Sequence, residues 1–170
     1  MGVDERAKNE PPPGPLLYEV IRNLWPLHRT IVRAVERELT GTGMTAGQHA
    51  VMDELHRAGP RTVPQLARLL GLDRQPVQRL VNDATTLGLT ETAPNPEHRR
   101  SHLIRLTPQG EAAIRSIQEA EETELRRQLS DLTTGDVTTT LHVLRRLGEE
   151  FKDLAQNAPP HPTDRRGDPR

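Results

Sequence analysis

Arg74, Gln75, Gln78 and Arg79 fall within two turns of a helical pattern. An arginine guanidinium can fork onto guanine O6 and N7, and a glutamine carboxamide can pair with adenine N6 and N7. These side-chain types therefore suit base-pair edges in a major groove. At 100° per residue they share the outward half of a helix whose inward half is Val77, Leu80, Val81, Ala84 and Leu87. A second cationic pair, Arg99 and Arg100, lies in the loop Pro94–Ser101, where it could hold phosphates or reach a minor groove. From Arg61 to Thr107 there are seven arginines and four acids, a local excess of +3 in a chain of formal net charge -1. Positive charge is concentrated where these contacts would be made. The plainer alternative, a helical hairpin with a solvated face, does not account for that concentration.

The elements that would position these residues are marked by their punctuation. A first helix is expected from about Leu16 to Leu39, with Leu17, Val20, Ile21, Leu24, Ile31, Val32, Val35 and Leu39 on one face and Pro26 kinking or splitting it. Thr45-Ala46-Gly47-Gln48 and Thr62-Val63-Pro64-Gln65 both read as capping boxes, opening helices that stop at Gly59 and Gly71. Asp73 is the expected N-cap of the helix carrying Arg74 to Arg79, with Pro76 in its first turn and Gly88 at its end. Two short helices joined by Leu70-Gly71-Leu72-Asp73 have the layout of a helix-turn-helix. Leu89–Ala93 and His102–Leu106 read as the strands of a hairpin, with Arg99 and Arg100 at its tip. Thr107-Pro108 then opens a helix to about Leu129, and Thr133 or Thr134 opens a last one with Val137, Leu141, Leu144, Leu147, Phe151 and Leu154 along one face.

The segments "TVPQLARLLGLDRQPVQRLVNDATTLGL" and "NPEHRRSHLIRLTPQG" resemble the multiple-antibiotic-resistance regulator (MarR) family of winged-helix transcription factors. Arg100, Leu106, Thr107 and Gly110 match that family's wing signature in spacing, while His98 stands where the signature has an acid. A neutral imidazole cannot pair with a wing arginine as an acid does, so the wing is expected to be looser or held differently. The resemblance implies a mainly α fold with a small β-hairpin wing: a winged helix-turn-helix with N- and C-terminal dimerisation helices. The expected organisation is one domain over 16–156, with the winged helix-turn-helix at about 45–107, dimerisation helices at about 16–41 and 108–156, and disordered tails at 1–15 and 157–170. The resemblance further implies a homodimer that binds double-stranded DNA at a pseudo-palindromic operator, as a repressor released by a small aromatic or phenolic effector. The terminal helices carry more apolar surface than one small domain covers, which independently favours a dimer over a monomer folded back on itself. A winged-helix dimer that scaffolds a protein partner without specific DNA binding is the alternative.

Candidate residues for the effector are Trp25, His28 and His49; the competing reading makes His28 a core or interface histidine and His49 a surface one. The seven histidines, without any cysteine, offer only the isolated pairs His49/His56 and His98/His102, so no metal or other cofactor is expected. No phosphate-cradling glycine loop or nucleophile–base set is visible, and Glu119-Ala120-Glu121-Glu122 reads as a solvated helix face, so no catalytic residue is assigned. With Tyr18, Trp25 and Phe151 as its only aromatics, the core must be aliphatic, which suits packed helices. The absence of a membrane-length apolar run or a signal-peptide core makes the expected location cytoplasmic.

Overall fold

The structure, a computed structural model, describes residues 14–98 and 100–157, the side chains of 155–157 excepted. The element order is α1 (Gly14–Glu38), α2 (Ala46–Ala58), α3 (Val63–Leu70), α4 (Arg74–Thr86), β1 (Thr90–Pro94), β2 (His102–Leu106), α5 (Pro108–Gln128) and α6 (Thr134–Asn157). The chain is mostly helical with a two-strand antiparallel hairpin. No helix among the described residues is long and apolar enough to cross a membrane. The chain forms two compact units that divide after Glu119, within α5.

In the first unit, local hydrogen bonding sets the helix starts. The Thr45 hydroxyl accepts from Gln48 N at 3.3 Å and Thr45 N donates to Gln48 Oε1 at 2.7 Å. Thr62 and Gln65 repeat the exchange at 3.4 and 2.8 Å, so both expected capping boxes form. Gly71 ends α3 at φ 64°, a left-handed conformation that glycine adopts without strain. Asp73 is the N-cap of α4, as expected, although its side chain makes no cap bond. The third helical residue is Pro76, whose nitrogen has no hydrogen for the carboxylate to accept.

Pro26 does not split α1, which runs unbroken for 25 residues. A proline within a helix removes one N–H, and the apolar stripe on both sides of Pro26 stays on one face. Gly14 and Pro15, expected in the N-terminal tail, belong to the first turn of α1, where proline is tolerated, and Asn157 belongs to the last of α6. The remainder of the expected tails, 1–13 and 158–170, lies outside the described residues.

Two aliphatic clusters hold the reading elements. One joins Val51 and Leu55 of α2, Val63, Leu66 and Ala67 of α3, Val77 and Val81 of α4, and Ile104 of β2. The other joins Leu39, Met44, Met52, Leu89 and Ile114, with Leu106 touching both. Arg61 exchanges backbone bonds with Ile104, at 3.0 Å from its nitrogen and 2.7 Å to its oxygen, so the residue before the N-cap of α3 is tied to the wing strand. The one buried hydroxyl at the start of the hairpin, Thr90, is satisfied by Thr85 Oγ1 at 2.9 Å.

The join from hairpin to α5 explains the Leu-Thr-x-x-Gly part of the wing signature. Thr107 Oγ1 donates to Gly88 O at 2.6 Å and accepts from Gly110 N at 3.0 Å, while Thr107 N donates to Leu89 O at 3.0 Å. Gly110 is buried against this turn, and a Cβ there would stand 2.0 Å from Leu89 O. Gln118 Nε2 fastens α5 to α2 by donating to Asp53 Oδ1 at 2.7 Å, and His56 Nδ1 lies 2.8 Å from Glu111 Oε1 without hydrogen-bond geometry.

In the second unit, Thr133 caps α6 through a reciprocal pair with Asp136, whose carboxyl is held below its ordinary range first by the Thr133 hydroxyl and then by the Thr133 N–H. The acidic face of α5 is stitched by pairs one turn apart, Glu122–Arg126 and Glu124–Arg127. The Arg127 hydrogen bond, aided by that of Gln128, lowers Glu124 to about 2. None of the described side chains of α6 is fully buried; Val137, Leu141, Phe151 and Leu154 are 46, 46, 50 and 63% exposed.

Candidate nucleic-acid interface

The inward stripe of α4 seats Val77, Val81 and Ala84 in the core, and Leu80 is partly buried against it. That packing leaves Arg74, Gln75, Gln78, Arg79 and Asn82 exposed on the opposite half of the helix. Leu87, expected within the stripe, is 38% exposed, because α4 ends at Thr86 and the chain turns there through Gly88 at φ 73°.

The wing closes one side of this face. Its register pairs Thr90 with Leu106 and Pro94 with His102, so the hairpin starts at Thr90 rather than Leu89. The Leu89 side chain instead packs in the core, and its nitrogen bonds Ala84 O. At the tip, Asn95 Oδ1 accepts from Glu97 N at 3.0 Å and Asn95 Nδ2 donates to Ser101 Oγ at 2.8 Å. Ser101 N donates to the His98 carbonyl at 3.0 Å. His98 thus holds the tip through its backbone while its side chain is exposed, and Asn95 and Ser101 brace the loop.

Arg74, Gln78 and Asn82 of α4, Thr62 at the start of α3, and Arg100 and His102 of the wing line one groove. Three of the residues singled out by type and spacing, Arg74, Gln78 and Arg100, therefore come together. Gln75 and Arg79 lie on the same exposed half of α4 but outside that groove, and Arg99 lies outside the described residues. Among the described residues the Arg74, Arg79 and Arg100 side chains make no hydrogen bond or ion pair, whereas Arg105 is paired with Glu91 across the hairpin at 2.8 Å. Unpaired guanidinium groups on an exposed face are available to an anionic partner; Arg105, counted in the local positive excess, is not. The sequence gives no DNA-contact role to Asn82, Thr62 or His102. Asn82 sits one turn beyond Gln78, a spacing that could have found it.

The other candidates are dispersed. Trp25 and His28 are exposed neighbours on α1, with ring centroids 6.5 Å apart, while His49 lies in the first turn of α2. His28 is exposed in the single chain, which sets aside the core reading and leaves the interface one, and His49 Nε2 is buried rather than at the surface. Among the described residues no group of three or more His, Cys, Asp or Glu is placed to hold a metal ion.

A helix-turn-helix followed by a two-stranded wing defines a winged-helix protein. The chain belongs to the MarR family of transcription regulators: residues 42–101 match the model described as MarR family. The transcriptional activatory protein BadR of Rhodopseudomonas palustris is 32% identical over 136 residues, 78% of this chain and 75% of that protein. Uncharacterised proteins of Mycobacterium tuberculosis and Mycobacterium bovis are 40% identical over 86 residues; the match takes in 51% of this chain and spans 60% of their length. Among solved structures, a MarR family transcription regulator is 36% identical with a TM-score of 0.70, covering 84% of this chain and 95% of that one. A cysteine-to-serine mutant of Escherichia coli MarR complexed with operator DNA shares the fold at 24% identity and a TM-score of 0.64, covering 76 and 93%.

Proposed function

We propose that the chain is a sequence-specific DNA-binding regulator that works as a homodimer on a pseudo-palindromic operator. The observation that carries this reading is the single groove in which Arg74 and Gln78 of α4 meet Arg100 of the wing, with both arginines unpaired among the described residues. The half of α4 that bears Arg74, Gln75, Gln78 and Arg79 meets base edges, and Arg99 and Arg100 hold the wing against phosphates or the adjacent minor groove. Dimerisation rests on the apolar stripe of α6, which a second copy would cover. A fold like that of a protein solved on operator DNA is consistent with this docking.

The two classes of contact separate experimentally. Gln75→Ala or Arg74→Ala is expected to cost about 1–3 kcal/mol of operator binding and to relax preference at one position. Arg100→Ala is expected to weaken binding to all sequences alike and to lower the slope of log affinity against log salt by about one. Fluorescence anisotropy on specific and random duplexes reads both. Unchanged affinity in all three variants contradicts the placement of the interface, and a wild-type protein that binds neither duplex favours a protein scaffold.

From its membership of the MarR family, whose usual mode is repression, we read the protein as a repressor relieved by a small aromatic or phenolic anion. The proposed contacts are Trp25 and His28, side by side on α1, and His49 on α2. Salicylate-like carboxylates are expected to quench Trp25, the only tryptophan, to raise the melting temperature, and to release DNA. No change in any of the three contradicts this effector class. In transcription with purified components the expected result is less transcript; more transcript, the direction carried by the name of the R. palustris relative, contradicts repression.

A further inference from the structure

Gln78 Nε2 donates to Asn82 Oδ1 at 2.9 Å, one turn further along α4, with both side chains exposed and both lining the groove. At an exposed position such a pair adds little to helix stability. The same small free energy biases the glutamine toward one orientation by about two-fold. Glutamine has three side-chain torsions, and a free glutamine must order them all when it meets a base. Arg74, Gln75 and Arg79, which share this face, make no side-chain hydrogen bond or ion pair among the described residues. Gln78 is held before any ligand arrives.

We propose that Asn82 is a positioning residue that presents Gln78 to adenine. The inference rests on the reading of α4 as the helix that meets base edges. A carboxamide nitrogen carries two hydrogens. When the one pointing away from Oε1 is given to Asn82, the other hydrogen and Oε1 remain side by side. That donor–acceptor pair matches adenine, which accepts at N7 and donates at N6. Asn82 contributes an acceptor, and an acceptor is all the arrangement requires of it.

The requirement defines a test in which affinity and base preference move separately. Duplexes selected from a random pool are sequenced for wild type, Gln78→Ala, Asn82→Ala and Asn82→Asp, with circular dichroism to verify that each exposed-site variant keeps its helices. Wild type is expected to favour adenine at one position per half-site on the order of ten-fold or more. Gln78→Ala removes that preference, and Asn82→Ala cuts it by about two-fold at the same position only. Asn82→Asp keeps the acceptor, so the adenine preference survives although the added negative charge lowers affinity for every duplex. Rescue of preference without rescue of affinity is not expected of a residue that merely stabilises the helix. Full adenine preference in Asn82→Ala, loss of it in Asn82→Asp, or guanine selected at that position would each overturn the proposal. A wild-type protein that selects no sequence overturns the assignment of α4 itself, a separate and recognisable failure.

Discussion

Gly110→Ala is expected to lower the stability of the protein by about 3 kcal/mol, the upper end of the usual range for forcing an added methyl into packed structure. The new Cβ would stand 2.0 Å from Leu89 O, 2.9 Å from Leu89 C and 3.2 Å from Leu89 Cα. All three are backbone atoms, so no side chain can rotate aside. Leu89 O is also the acceptor for Thr107 N, and Gly110 N is bonded to Thr107 Oγ1, so relief by backbone movement breaks the turn that joins the wing to α5. Denaturant titration is expected to show a lower midpoint at unchanged slope. A midpoint equal to wild type would mean that the turn is looser than this packing requires.

Leu141→Glu is expected to abolish the dimer, which makes it the largest single effect on quaternary structure. Leu141 is 46% exposed in one chain, so a glutamate there is tolerable to an isolated subunit. Covered by a second copy, the same carboxylate would be buried without a partner, at a cost of several kcal/mol. Sedimentation equilibrium at micromolar concentration is expected to give twice the 19.1 kDa chain mass for wild type and one chain mass for the variant. Operator affinity should fall with it, since each half-site would be bound alone. A wild-type mass of one chain, or a variant that remains dimeric, contradicts the proposed interface.

What the sequence made legible was local. Thr45 with Gln48 and Thr62 with Gln65 reveal their helix starts because both partners lie within four residues and need nothing from the rest of the fold. The aliphatic period of α4 likewise places Arg74, Gln75, Gln78 and Arg79 on the outer half, since a buried stripe fixes what remains exposed. Local rules left the outcome open where two of them competed. Asp73 has the right type for an N-cap, but Pro76 removes the donor that it would cap. Pro26 could kink the helix or split it, and α1 is not split. Contacts between distant segments left no readable trace: the Arg61–Ile104 bridge, the Gln118–Asp53 tie, the His56–Glu111 approach, and the brace from Asn95 to Ser101 all depend on packing that brings separate positions together. For His28, a place on a helix's apolar side does not distinguish a core position from an interface one, and its exposure in the single chain excludes only the core.

Footprinting of the purified protein on fragmented genomic DNA at physiological salt tests sequence-specific binding most directly. The expected result is a small set of protected sites that share an inverted repeat, with half-sites about one helical turn, or about 10 bp, apart. Arg74→Ala should weaken protection at those sites far more than on bulk DNA. Coverage that follows DNA length rather than sequence, or no protection at all, would contradict the account.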